Sequence, residues 1–171
     1  MYSFSGEKMN QEKAGKMIKQ TQPYGCGLYA VANVFGLNDF VTNERLKLSE
    51  NGLAIGHLNN FLYEDKRNIL IDVFFHAHDG NEEIPQIYIS YRPEDDKKIL
   101  PILLAVKRKE DGKRHMVSGH IHNGGQFTLF DSLKDDSISM HFEDINSKYK
   151  FITGMFCFID NNCKFILLDK K

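Results

Sequence analysis

The sequence predicts an α+β domain in which helices come first and strands follow. Two patterns carry that expectation. From Leu28 the apolar residues recur at helical spacing, and from Asn68 onward short runs rich in Ile, Val, Phe and Tyr are separated by Gly, Asn and Asp. The size agrees, because 171 residues with 42% hydrophobic content are enough to close one core.

The elements can be taken in chain order. Residues 1–19 are polar and rich in Lys, Gln and Glu, with no apolar face, and are read as a loose or partner-docked arm ahead of a single domain spanning 20–171. Pro23, Tyr24 and Gly25 end any earlier element, and Leu28, Val31, Ala32, Val34 and Phe35 define a helix that begins at Cys26 and breaks at Gly36. TNERLKLSE, with Thr42 or Asn43 as N-cap, and IGHLNNFLYE are read as two further short helices. The strand candidates are NILIDVFF, PQIYISY, ILPILLAVK, HMVSGHI, QFTLFDS, KFITGMFCFI and KFILLD, which together imply a mainly antiparallel sheet. No repeat, low-complexity tract or linker interrupts them.

Cys26 is the first residue with chemical promise. A cysteine at a helix N-terminus feels the positive end of the helix dipole, which favours the thiolate. Gly25 and Gly27 flank it, leaving room for a carbonyl to approach the sulfur while the Cys26 amide faces a developing oxyanion. The same local spacing equally suits a small apolar residue buried under the first helix.

A thiol nucleophile needs a base, and the base needs an orienting acceptor. In KRHMVSGHIHNGGQFTLFDSL two strand-like runs flank Asn123, Gly124 and Gly125, a hairpin signal that brings the region of His115 opposite the region of Asp131. A carboxylate on one strand could then hold one imidazole nitrogen while the other faced the thiol. Alone, His115 would read as a surface histidine at a strand end and Asp131 as a turn residue before Ser132.

Taken together these residues resemble the papain-like cysteine peptidases that process double-glycine leader peptides. The likeness rests on Gln20 six positions before Cys26, on Cys-Gly opening a helix, on His115 after the run Pro101 to Val106, and on Asp131 sixteen residues beyond it. It covers about residues 20–135 and includes the helix break at Gly36 and the helix opened by Gly56. The resemblance implies a helical lobe packed on an antiparallel sheet, a Cys26 thiolate, His115 as base and acid, Asp131 orienting His115, and Gln20 donating to the oxyanion. Gln22, in the same stretch, is the rival donor. Gly25 stands where that family often has an acidic or polar residue, and Ser132 where a proline often follows the aspartate. The triplet Asp131-Ser132-Leu133 is instead similar to proteases of ubiquitin-like modifiers, in which the histidine and aspartate precede the cysteine in the chain. The activity implied is hydrolysis of a peptide or isopeptide bond without metal or organic cofactor. Transfer to an amine, as in transglutaminase-like relatives, and an inactive module that binds a peptide or protein are the alternatives.

Other features point away from function. His120 with His122, and His76 with His78, have a spacing compatible with zinc. Strand alternation, however, sends His120 and His122 to the face opposite His115, so packing or solvent is the expected environment. Cys157 reads as a core strand residue and Cys163 as a turn thiol. The charge is −1, with 22 basic against 23 acidic residues and no one-sided basic cluster, which argues against a nucleic-acid partner and leaves a peptide or protein substrate. No apolar run approaches the roughly 18 residues of a membrane span, and Met1 to Lys19 lacks the apolar centre of a secretory signal. Three scattered cysteines suggest reduced thiols in a cytoplasmic setting. Oligomeric state is not legible.

Overall fold

A computed structural model describes residues 17–42, 55–64, 68–76, 83–86 and 97–170. Within them two α-helices, α1 (Cys26–Phe35) and α2 (Ile55–Glu64), precede the strands β1 (Leu70–His76), β2 (Lys98–Arg108), β3 (Arg114–Ile121), β4 (Gln126–Phe130), β5 (Ile138–His141), β6 (Tyr149–Ile159) and β7 (Leu168–Asp169). The fold is therefore α+β. The sheet order is β1-β6-β2-β3-β4-β5, every pairing is antiparallel, and β7 pairs with Lys98 and Ile99 at the start of β2.

β2 explains the layering. Its apolar run is nearly continuous because both faces are covered. Ile99 and Leu103 pack with α1, α2 and the buried ends of β6, whereas Leu100, Ile102, Leu104 and Val106 pack on the other side with Val117, Phe127, Leu129 and Phe151. The 3₁₀ segment Phe142–Ser147 closes that second core with Phe142 and Ile145.

α1 is buried along nearly its whole length, from Gly27 to Phe35. It ends in a left-handed Gly36 (φ 67), where Leu37 N–H donates to Ala32 O (2.8 Å) and Gly36 N–H to Asn33 O (3.3 Å). That two-bond closure is a Schellman motif, and its left-handed residue favours glycine. Asn33 also reaches outward. Its Oδ1 accepts from Ile18 N–H (2.7 Å) and its Nδ2 donates to Ile18 O (3.0 Å), and Ile18 packs against the helical core. Ordered packing thus begins inside the stretch 1–19 that the sequence assigns to an arm; residues 1–16 lie outside the described residues.

The helix read in IGHLNNFLYE is α2 itself. The helix expected in TNERLKLSE lies, beyond Thr42, outside the described residues; the strand expected in PQIYISY does so beyond Gln86, with Pro85 and Gln86 not in a strand. Two differences concern the end of the chain. The sequence reading has no counterpart for β5, and the strand expected over KFILLD is divided, Phe165 bridging to Ile159 while Leu168–Asp169 alone pairs with β2.

The hairpin at Asn123–Gly125 forms, with Gly124 at φ 80, and sets Ser118 opposite Phe130. Gly119 is required there by contact, since a Cβ at that position would lie 2.2 Å from the Phe127 ring.

Candidate active site

Three distant parts of the chain meet where α1 begins. No side chain caps the helix N-terminus and no acidic residue sits in its first turn. The amides left without helical partners are therefore free to serve the Cys26 sulfur. The His115 side chain and the backbone amides of Gly27 and Met116 are the groups that favour its thiolate. Burial pushes the thiol pKa up, but the His115 hydrogen bond and charge, followed by the two amides, outweigh it and leave the thiol below its ordinary value. Cys26 remains partly exposed.

The local backbone admits this arrangement for specific reasons. Tyr24 occupies the left-handed region (φ 62), turning the chain into the helix. Gly25 then has no room for a larger residue without movement, because an added Cβ would lie 3.1 Å from the Tyr29 ring and 3.3 Å from Gln22 O. The ring is itself held through Tyr29 Oη and Thr21 Oγ1 (3.1 Å).

His115 is the second residue of β3 and only 7% exposed. Its Nε2 donates to Asp131 Oδ1 at 2.8 Å, so Nδ1 is the ring nitrogen left for the thiol. Burial lowers the imidazole pKa, yet the hydrogen bonds to Asp131 and Cys26 and their negative charges raise it to about 9. Both shifts move the pair toward thiolate and imidazolium.

Asp131 follows β4 directly and is 3% exposed. Both carboxylate oxygens are occupied: Oδ1 also accepts from Leu133 N–H (3.1 Å), and Oδ2 accepts from Tyr149 Oη (2.6 Å). Burial opposes its charge, but the His115 and Tyr149 hydrogen bonds prevail and hold the carboxyl well below the usual range. Tyr149 responds in the opposite sense. Burial and then Asp131 push its phenol far above the ordinary tyrosine value, so it stays a donor. Sequence reasoning missed Tyr149, because a tyrosine opening an apolar strand has no distinguishing spacing.

Gln20 is tied to the residue after Asp131. Its backbone N–H donates to Ser132 O (2.7 Å), and Ser132 Oγ donates to its side-chain Oε1 (3.1 Å). Its Nε2 donates to Gln22 O (2.9 Å). Gln22 is exposed and contributes to this cluster through its backbone carbonyl.

The remaining candidates are elsewhere. His120 Nε2 meets Val34 O (2.8 Å) on α1, and burial first, then neighbouring His122, bring its pKa down to about 4 against the opposing hydrogen bond. His122 Nε2 meets Thr128 Oγ1 (3.0 Å). Cys157 is buried, and burial with the Asp72 charge pushes its thiol up to about 11, the opposite of Cys26. Cys163 is exposed in a turn. His78 lies outside the described residues. Among the described residues, no three His, Cys, Asp or Glu side chains gather into a metal-binding group, and no helix is long and apolar enough to cross a membrane.

Set against protein-family models, curated proteins and solved structures, the chain matches none of them.

Proposed function

We propose that this chain is a papain-like cysteine peptidase in which Cys26, His115 and Asp131 form the catalytic triad. The observation that carries the reading is the buried 2.8 Å His115–Asp131 hydrogen bond beside Cys26, whose thiol His115 holds below its ordinary pKa. A lone buried cysteine shifts upward, as Cys157 does, so a depressed thiol beside a raised imidazole favours a nucleophile over a simple binding cleft. The order Gln20, Cys26, His115, Asp131 supports the likeness to the double-glycine leader peptidases.

In the proposed reaction the Cys26 thiolate adds to an amide carbonyl carbon, forming a C–S bond as the carbonyl electrons move to oxygen. The Cys26 N–H and Gln20 Nε2 hold that oxyanion. Collapse breaks the C–N bond, and the leaving amine takes the proton from His115 Nδ1. Neutral His115 then accepts a proton from water. The resulting hydroxide attacks the thioester, the C–S bond breaks, and the thiolate and imidazolium are restored. Asp131 stays ionised throughout and keeps Nδ1 aimed at the sulfur.

Incubation with a library of synthetic peptides, read by mass spectrometry, tests the proposal. Cleavage that Cys26→Ala and His115→Ala both abolish is expected. Absence of cleavage by the parent protein, or cleavage that survives Cys26→Ala, would contradict it. Adding a primary amine separates hydrolysis from acyl transfer, since only transfer gives amide products.

A further inference from the structure

We infer that Ser132 is a positioning residue that fixes the side-chain amide of Gln20 for oxyanion binding, so that the segment carrying Asp131 also builds the oxyanion hole. The inference rests on the peptidase reading of the same site.

A glutamine amide has an acceptor end and a donor end of nearly equal size, so unaided it can present either to a carbonyl oxygen. Only the NH₂ end stabilises an oxyanion; the carbonyl end repels it. At Gln20 the choice is made by its partners. The Gln22 carbonyl can only accept, so its contact with Nε2 (2.9 Å) identifies the donor end, and the Ser132 hydroxyl then holds the acceptor end by donating to Oε1 (3.1 Å). Among the described residues no protein group takes the second N–H, and in the proposed reaction it goes to the oxyanion. The backbone is fixed by the same residue, because Gln20 N–H donates to Ser132 O at 2.7 Å. Ser132 is 1% exposed, so water does not readily replace its hydroxyl, and it directly follows Asp131. One dipeptide therefore holds His115 with its first residue and Gln20 with its second. A proline at 132 could make neither the hydroxyl bond nor any substitute for it, which gives the serine at this position a chemical purpose.

Two reactions of Cys26 separate this role from a general structural one. Acylation by p-nitrophenyl acetate forms a C–S bond, moves the carbonyl electrons to oxygen, and then expels p-nitrophenolate, so it needs an oxyanion hole. Alkylation by iodoacetamide displaces iodide from carbon and builds no oxyanion. Ser132→Ala is expected to slow acylation about tenfold, less than the hundredfold or more typical of removing an oxyanion donor outright, because Gln20 stays present but misdirected. Alkylation should fall less than twofold. Ser132→Thr, which keeps the hydroxyl, should restore acylation to within about threefold of the parent. In a Gln20→Ala background, Ser132→Ala should add nothing.

Unchanged acylation in Ser132→Ala overturns the inference, as does equal slowing of both reactions in a variant that melts like the parent, or a full additional loss in the Gln20→Ala background. Should the Ala variant melt early, Ser132→Gly takes its place under the same criteria. A parent protein whose Cys26 is acylated no faster than Cys163 would instead overturn the peptidase reading. Normal parent reactivity with an insensitive Ser132 variant overturns the positioning role alone.

Discussion

At the scale of single residues, the behaviour of Cys26 follows from competing effects of known sign. Burial disfavours the thiolate, and a histidine, its charge and two backbone amides favour it. Tyr149 acts further out. Removing its hydroxyl in Tyr149→Phe leaves Asp131 Oδ2 buried without its 2.6 Å donor. The expected cost is about 1–3 kcal/mol in urea unfolding, with the Asp131 pKa rising and, because the still-ionised carboxylate becomes a stronger acceptor, the His115 pKa rising with it. The base-side limb of the pH–rate profile should therefore move to higher pH in this variant. An unchanged limb would mean that Tyr149 contributes only packing. Cys26, His115 and Asp131 were legible in the sequence because a helix start and a hairpin have local signatures that place them. Tyr149 was not, since its role depends on β6 beginning beside Arg108 in the register with β2, a non-local fact.

At the scale of elements, two close fits set the site. The first is the strap at Asn33, whose two bonds to Ile18 tie the segment leading to Gln20 onto α1. Asn33→Ala is expected to cost about 2 kcal/mol in thermal or urea unfolding. It should also loosen Gln20, slowing ester acylation more than alkylation. The second is the β3–β4 hairpin that brings His115 to Asp131. Gly119→Ala places a Cβ 2.2 Å from the Phe127 ring, so the expected loss is about 1–3 kcal/mol, read as a lowered Tm. The helix in IGHLNNFLYE and the hairpin were readable because periodicity and turn chemistry are local. The short β5, over the half-polar run ISMH, exists through pairing with β4, and the KFILLD segment is split between Ile159 and the start of β2. Neither constraint appears in the strand's own residues.

For the whole molecule, the site is assembled from segments near residues 20, 26, 115, 131 and 149, so its electrostatics are linked to folding. His115 binds its proton more tightly in the folded state. Its contribution is therefore complete below the ordinary value of 6.5 and is lost as pH rises through about 9. Cys26 moves the other way, with a folded pKa below its ordinary 9.0, so its contribution is present above that value and fades as pH falls through the folded one. Between the folded Cys26 value and 9.0 these dependences have opposite sign and offset. Cys26→Ala removes one of them, so stability in urea titrations should decline as pH rises above about 6.5. A flat profile in that variant would argue against the ion pair. Asp131 adds stability above the ordinary 3.8 that is lost as pH falls through its lower folded value, so acid unfolding should be steep.

The central claim is that Cys26 is a thiolate made by His115. Its most direct test is the rate of Cys26 alkylation by iodoacetamide as a function of pH, followed by mass spectrometry that resolves Cys26 from Cys163. The expected result is reaction with an inflection below the ordinary thiol value of 9.0, faster at neutral pH than Cys163, with that advantage lost in His115→Ala. A Cys26 that titrates like an ordinary thiol, reacts no faster than Cys163, and ignores the loss of His115 would contradict it.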